Sequence, residues 1–406
     1  MNLIATHYDF IRKARPLVSK YATLDVELIR ITNPDIETIH SVDDYEGSNF
    51  GQCVDEMEDE IFKAISESSN LPVEIVKEEI DNFPVEFKTP LISLFATINY
   101  EFHSLVNFEL SGKKTFFFND NLAEHLANTD INMMAEDIEI PFPSCLFVYT
   151  AESVINAIHN IRGVDGRMDM NADSIDYKAP VSVFITLHDV NHKNLRGRKL
   201  VINAFHSRYP NKSYQMIKRE LYLGNGWTLE DSLRTNWEDL TPDDVCGGLN
   251  ISGQLVNDQL SDEVFYQDGL LFFRIILNSI LYLDSESAEL EPVSSVRTEA
   301  EKRAKNIISR VKRKKKLNEV SSISYLDYLD VGRTVSPITI DKSKSSVESL
   351  TEQKSQRKLH RRFIVRGHWK LQAYGEKMSL RKRIRIAPYY RGQDVAVLIN
   401  KPYLVK

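Results

Sequence analysis

Arg361 to Gly392 reads RRFIVRGHWKLQAYGEKMSLRKRIRIAPYYRG: two strand-like runs around Gly375, dense in arginine and aromatic residues. In the first run, alternation sets Phe363, Val365 and Trp369 on one face. Arg362, Arg366 and His368 fall on the other, with Ile364 between them. In the second, Arg381, Arg383 and Arg385 alternate with Ile384, Ile386 and Pro388. Gly375 supplies a turn or long hairpin loop, so the two runs are expected to pair as antiparallel strands. If their registers agree, one sheet face carries five arginines and a histidine.

The rest of the chain has the opposite charge. The 406 residues sum to −7, but Arg297–Lys406 holds 28 Lys and Arg against 10 Asp and Glu, a net +18. Residues 1–296 therefore carry −25. Such a reversal implies either a basic tail domain with a polyanionic partner or two halves that neutralise each other. An apolar fraction of 42 % and a charged fraction of 27 % are those of an ordinary globular protein. The three cysteines, Cys53, Cys145 and Cys246, are far apart, odd in number and form no CxxC pair, so they indicate neither a disulfide framework nor a zinc knuckle. A reducing bacterial cytoplasm fits. The N-terminus has no secretory h-region, and the longest apolar run, Gly269 to Leu283, contains Arg274 and Asn278 and is too short to span a bilayer. It reads as a buried helix, and no membrane partner is expected.

Working back from the tail, Lys342–Lys358 is a Ser/Lys-rich stretch expected to be a mobile loop, and Thr298–Leu317 a helix ending in five basic residues, Lys312–Lys316. Upstream, Pro90–Leu110 is a candidate core helix carrying His103, expected to be a satisfied core residue. Lys114–Phe118 reads as a strand, with Asn119 and Asp120 capping the helix after it. Val181–Leu187 and Lys199–Phe205 form a hairpin with a polar tip. That tip carries His188, Asp189 and His192, but an i, i+4 histidine pair binds metal on a helix face, not on a hairpin, so no metal site is assigned. Gly224-Asn225-Gly226 lacks the third glycine of a dinucleotide turn, and there is no GxxxxGK[ST] or GxSxG anywhere. No cofactor is implied.

The chemistry therefore concentrates in the tail. Guanidinium groups fork onto phosphates, and aromatic rings beside basic groups stack on unpaired bases. The candidate nucleic-acid-binding residues are Arg362, Arg366, Trp369, Tyr374, Arg381, Arg383, Arg385, Tyr389, Tyr390 and Arg391. The same residues also allow a structural reading, with Trp369 in a core and the arginines bridging to the acidic half. His368 is the candidate catalytic residue, as the acid or base of a metal-independent endoribonuclease with Arg366 and Arg383. A two-metal nuclease is disfavoured, because Glu376 and Asp394 are the only acids after residue 352.

Val365–Trp369 (VRGHW), Tyr374-Gly375, RKRIRI and Pro388–Gly392 (PYYRG) together resemble a family of phage- and plasmid-encoded proteins. So do FNDNLAEHLANTDI (Phe118–Ile131), the IPFPS segment and the VGRT stretch before the tail. The resemblance runs from about Lys114 to the C-terminus. The family includes an anti-CRISPR that acts against the type V effector nuclease. That member lowers effector production by recognising the nascent effector N-terminus and causing loss of its mRNA. For this chain the resemblance implies a helper of a mobile element acting on translation or mRNA, and it does not imply the same target. It implies no catalytic assignment for His368.

The expected fold is α+β. An acidic, mostly helical region with a β-hairpin spans 1–290, a basic helix and linker 291–360, and a small basic antiparallel sheet 361–406. The expected function is inhibition of a host defence through a nascent polypeptide, an RNA such as ribosome-associated mRNA, or both. The alternatives are the endoribonuclease and a non-catalytic nucleic-acid-binding accessory.

Overall fold

A computed structural model describes residues 6–82, 85–160, 179–192, 195–208, 213–238, 262–293, 326–339, 361–391 and 397–398. The expected basic helix and Ser/Lys-rich loop lie outside these residues.

The fold is α+β, and its centre is a seven-stranded mixed sheet. In chain order the strands are β1 (Thr115–Phe118), β2 (Ser144–Tyr149), β3 (Val181–His192), β4 (Leu195–Arg208), β5 (Ser213–Gly224), β6 (Leu290–Val293) and β7 (Tyr328–Val331). Their spatial order is β5-β4-β3-β2-β1-β7-β6. β1 runs parallel to both β2 and β7, and all other pairs are antiparallel. The expected hairpin is β3–β4, two strands of this sheet rather than an insert among helices. Its arms continue through the polar tip, and His192 pairs with Leu195. Tyr328–Val331 falls within the stretch expected to be linker, yet it pairs beside β1.

The central strands are buried on both faces, which explains why SCLFVY and TFFF read as unbroken apolar runs rather than alternating ones. Phe116, Phe118, Cys145, Phe147 and Tyr149 face one core. Phe117, Leu146 and Val148 face another. Helices cover both sides. On the second face lie α1 (His7–Ala14), α2 (Pro16–Thr32), α3 (Phe50–Ser69) and α5 (Val85–Leu110), with α4 (Val73–Asn82) packed on α3. On the first face lie α6 (Asp120–Ala127), α7 (Glu152–Asn160), α8 (Leu229–Glu238) and α9 (Asp262–Leu283). The apolar run Gly269–Leu283 lies in α9, and nearly all of it is buried.

Local signals set the helix starts. Asn119 caps α6 through its side-chain oxygen, which accepts from the Asn121 N–H at 3.0 Å. At α8, Thr228 and Asp231 form a reciprocal capping pair.

Candidate functional site

The Arg-rich stretch folds into β8 (Arg361–Val365), β9 (His368–Tyr374), β10 (Leu380–Ile386) and β11 (Tyr389–Arg391), with β12 (Val397–Leu398) beside β8. β9 and β10 form an antiparallel ribbon, and β11-β8-β12 a small second sheet. Gly375 adopts φ +79° at the ribbon's turn, a left-handed conformation that glycine reaches at little cost.

The register decides what shares a face. Trp369 pairs with Arg385, Leu371 with Arg383, and Ala373 with Arg381. Directly opposed residues of an antiparallel pair point the same way. The three arginines therefore lie on the Trp369 face, and His368, opposite Ile386, lies on the other. The single face of five arginines and a histidine does not form. Sequence alternation fixes each strand's faces but not which face meets which.

The end of this face that carries Trp369, Arg385 and Arg383 is turned toward the protein, while Arg381 at the other end is exposed. Trp369 is 7 % exposed and belongs to the core beneath α6 and α9. Its indole N–H donates to Asn278 Oδ1 at 2.7 Å. Asn278 Nδ2 in turn donates to the carbonyls of Leu126 (3.0 Å) and Thr129 (2.7 Å). Indole is donor-only, so Oδ1 must face the tryptophan, and both amide hydrogens are then used on the end of α6. One asparagine in the middle of an apolar helix thus clamps the ribbon to the loop after α6.

Gly367 completes the joint. Its N–H donates to Asn128 O and its carbonyl accepts from the Asp130 N–H, both at 2.9 Å. A Cβ there would lie 2.7 Å from Ile386 O and 2.7 Å from Thr129 Oγ1, closer than any side chain tolerates. Arg366 Nη1 reaches Asp130 Oδ1 at 3.1 Å. VRGHW therefore docks on HLANTD (His125–Asp130), some 240 residues earlier, and both stretches belong to the motifs that stand out in the sequence. VGRT joins the same place: Val331 O accepts from the Asn119 N–H, and His125 Nε2 donates to Ser336 O, both at 3.0 Å.

The remaining basic groups divide between body and solvent. Arg383 pairs with Asp137 at 3.2 Å and with Asp284. Arg385 lies 5.2 Å from the Tyr282 ring, and burial lowers its pKa. Lys382 reaches Glu286 at 3.0 Å. Asp130, Asp137, Asp284 and Glu286 all come from the acidic half, so part of the charge split is neutralised within the chain. His368, Lys370, Tyr374, Lys377, Arg381 and Arg391 remain exposed, while Tyr389 and Tyr390 are half-buried. The Arg362 side chain lies outside the described residues. Sequence reading misses Asn278 as the clamp, and its only signal is a lone amide within an apolar run.

This geometry separates the parts of the endoribonuclease alternative. His368 is on the outer face, whereas Arg366 and Arg383 are engaged by carboxylates. The described residues hold no cluster of three or more His, Cys, Asp or Glu able to bind a metal ion. None of their helices is long and apolar enough to cross a membrane.

The family model described as AcrVA2-like, anti-CRISPR type V subtype A2 family, matches residues 116–391. The chain belongs to this family. It is thus an anti-CRISPR protein of the type V class, and the match takes in both HLANTD and VRGHW. A solved structure titled "Crystal structure of AcrVA2" is similar at a TM-score of 0.37 and 9 % identity, covering 94 % of this chain and 96 % of that one. No curated protein matches the sequence.

Proposed function

We propose that this AcrVA2-like protein lowers the production of a type V effector by binding the effector polypeptide as it is made. The observation that carries this reading is the surface of α3 and α4. Asp55, Asp59, Glu60, Glu67, Glu74, Glu78 and Glu79 are all exposed there, against Lys63 and Lys77, and Leu71 and Ile75 are exposed beside them. Apolar side chains within a surface of net negative charge suit a basic, amphipathic segment. Among the described residues, the carboxylate partners of the tail's Arg333, Arg366 and Arg383 come from elsewhere in the chain.

Cell-free translation of a type V effector with the purified protein tests this. Effector yield and effector mRNA should both fall relative to an unrelated message. Glu74→Lys/Glu78→Lys/Glu79→Lys should abolish the effect without changing the thermal midpoint. Full activity in that triple variant refutes the reading.

A second reading has its own support. Lys370, Lys377, Arg381 and Arg391 are exposed with His368 and Tyr374, the equipment of a modest RNA contact. RNA affinity should then fall steeply with salt, and Arg381→Ala/Arg391→Ala should flatten the slope by about two. An unchanged slope rules those two residues out as phosphate contacts.

A further inference from the structure

On the sheet face away from the ribbon, α5 presents two different faces. Phe102, Leu105 and Val106 pack into the apolar core, whereas Asn99, His103, Ser104 and Asn107 line a polar cleft of about 90 Å³. The strands beneath do the same. Phe184 of β3 and Phe205 of β4 are core residues, but Thr186, Asn203 and Lys218 face the cleft. A polar pocket in place of a core is costly unless its groups are paired, and here two are not.

Asn203 is only 6 % exposed. Its Nδ2 donates to Ser104 Oγ at 2.9 Å, while its Oδ1 has no hydrogen-bond partner among the described residues. His103 Nδ1 lies 2.8 Å from Asn99 O. A carbonyl only accepts, so Nδ1 carries the proton, and burial keeps the ring neutral by lowering its pKa. Its Nε2 is then a bare acceptor, buried and without a partner among the described residues. Both orphans accept, so whatever fits must donate twice. On the cation side, Lys199 (3.1 Å) and Lys218 (2.9 Å) share the single carboxylate of Glu220, and Lys218 also lies over the Tyr100 ring, so the cleft wall carries a net positive charge that suits an acceptor.

We propose that this cleft binds a primary carboxamide, with its two N–H donors on Asn203 Oδ1 and His103 Nε2 and its carbonyl toward Lys218. A cleft of this size takes about three waters or one small amide. The inference is independent of how the protein acts on the effector. The amide comes either from a free small molecule or from an Asn or Gln side chain of a polypeptide, and the hydrogen-bonding demand is the same.

The test is a titration of full-length protein carrying ¹⁵N-labelled histidine, following the His103 Nε2 resonance, which His103→Gln identifies by its loss. Acetamide should move that resonance saturably toward the hydrogen-bonded position. Asn203→Leu should weaken the response about tenfold, the loss of one buried hydrogen bond. Lys218→Met, on the cleft rim, should weaken it less and serves as the folded control if Asn203→Leu unfolds. Free L-glutamine and a Gln-containing tripeptide with a free carboxylate then separate the two sources, and tighter binding by either one assigns it. Absence of a saturable shift with all three probes means that the cleft holds water only, and overturns the proposal. A response undiminished in both variants also overturns it.

Discussion

At the scale of single residues, the joint between ribbon and body rests on Asn278, Trp369 and Gly367. Trp369→Phe keeps the ring in the core but removes its N–H, leaving the buried Asn278 Oδ1 without a donor. The expected loss is about 1–3 kcal/mol in urea unfolding. Tyr374→Phe, at an exposed ring of the same ribbon, should change stability by less than ~0.5 kcal/mol. Equal effects would mean that the indole hydrogen bond contributes nothing. Gly367→Ala is argued differently, because the added methyl meets a backbone oxygen that cannot turn aside. A loss of about 1–3 kcal/mol is expected, and an unperturbed midpoint would refute the close approach. The motif is legible in the sequence as a motif, but its reason is not. Trp369 and Arg366 read equally well as RNA contacts or as structural groups, and the deciding partners lie 91 and 236 residues away. No local pattern reports a contact of that separation.

At the scale of elements, periodicity finds the strands and helices but not their partners. The β3–β4 hairpin is readable because its two arms are adjacent in sequence. The parallel pairing of β1 with β7 is not, because more than 200 residues separate them. The same ignorance of register permits a single cationic ribbon face, whereas the observed pairing puts three arginines on the Trp369 face and turns Arg383 and Arg385 inward. Arg383 carries the energetic consequence. Its side chain is 12 % exposed and held by two carboxylates. Removing those charges in Asp137→Asn/Asp284→Asn strands a largely buried guanidinium, whereas Arg383→Met removes the charge itself. Hydrogen exchange should therefore show the β9–β10 amides losing more protection in the double carboxylate variant than in Arg383→Met, with β2 and β3 unaffected in both. The reverse order would mean that the ion pairs do not hold the ribbon. Glu286→Gln, which breaks the exposed pair with Lys382, should cost at most ~1 kcal/mol.

At the scale of the whole molecule, folding buries imidazoles that the unfolded chain leaves in water. Desolvation lowers the pKa of His7, His103 and His125, and lowers that of His188 to about 3, with the charge of His40, its ring tilted against His188 at 3.9 Å, adding to the shift. In the unfolded state each titrates near 6.5. Below that pH the unfolded chain takes up protons that the native chain refuses, so stability must fall as the solution is acidified. Each such histidine contributes a slope of up to about 1.4 kcal/mol per pH unit. The loss ends for each at its own folded pKa, and for His188 it continues toward pH 3. Carboxylates titrate mostly below pH 5, so urea unfolding between pH 6.5 and 5 isolates the histidines. Wild type should lose stability across that window with a slope of more than one proton. His188→Gln cannot protonate in either state, so its slope should be shallower by close to one proton whatever its stability at pH 7. An identical slope in the two proteins would mean that His188 is protonated in the folded state, and that the β3 strand end and the 38–40 loop do not exclude water from it.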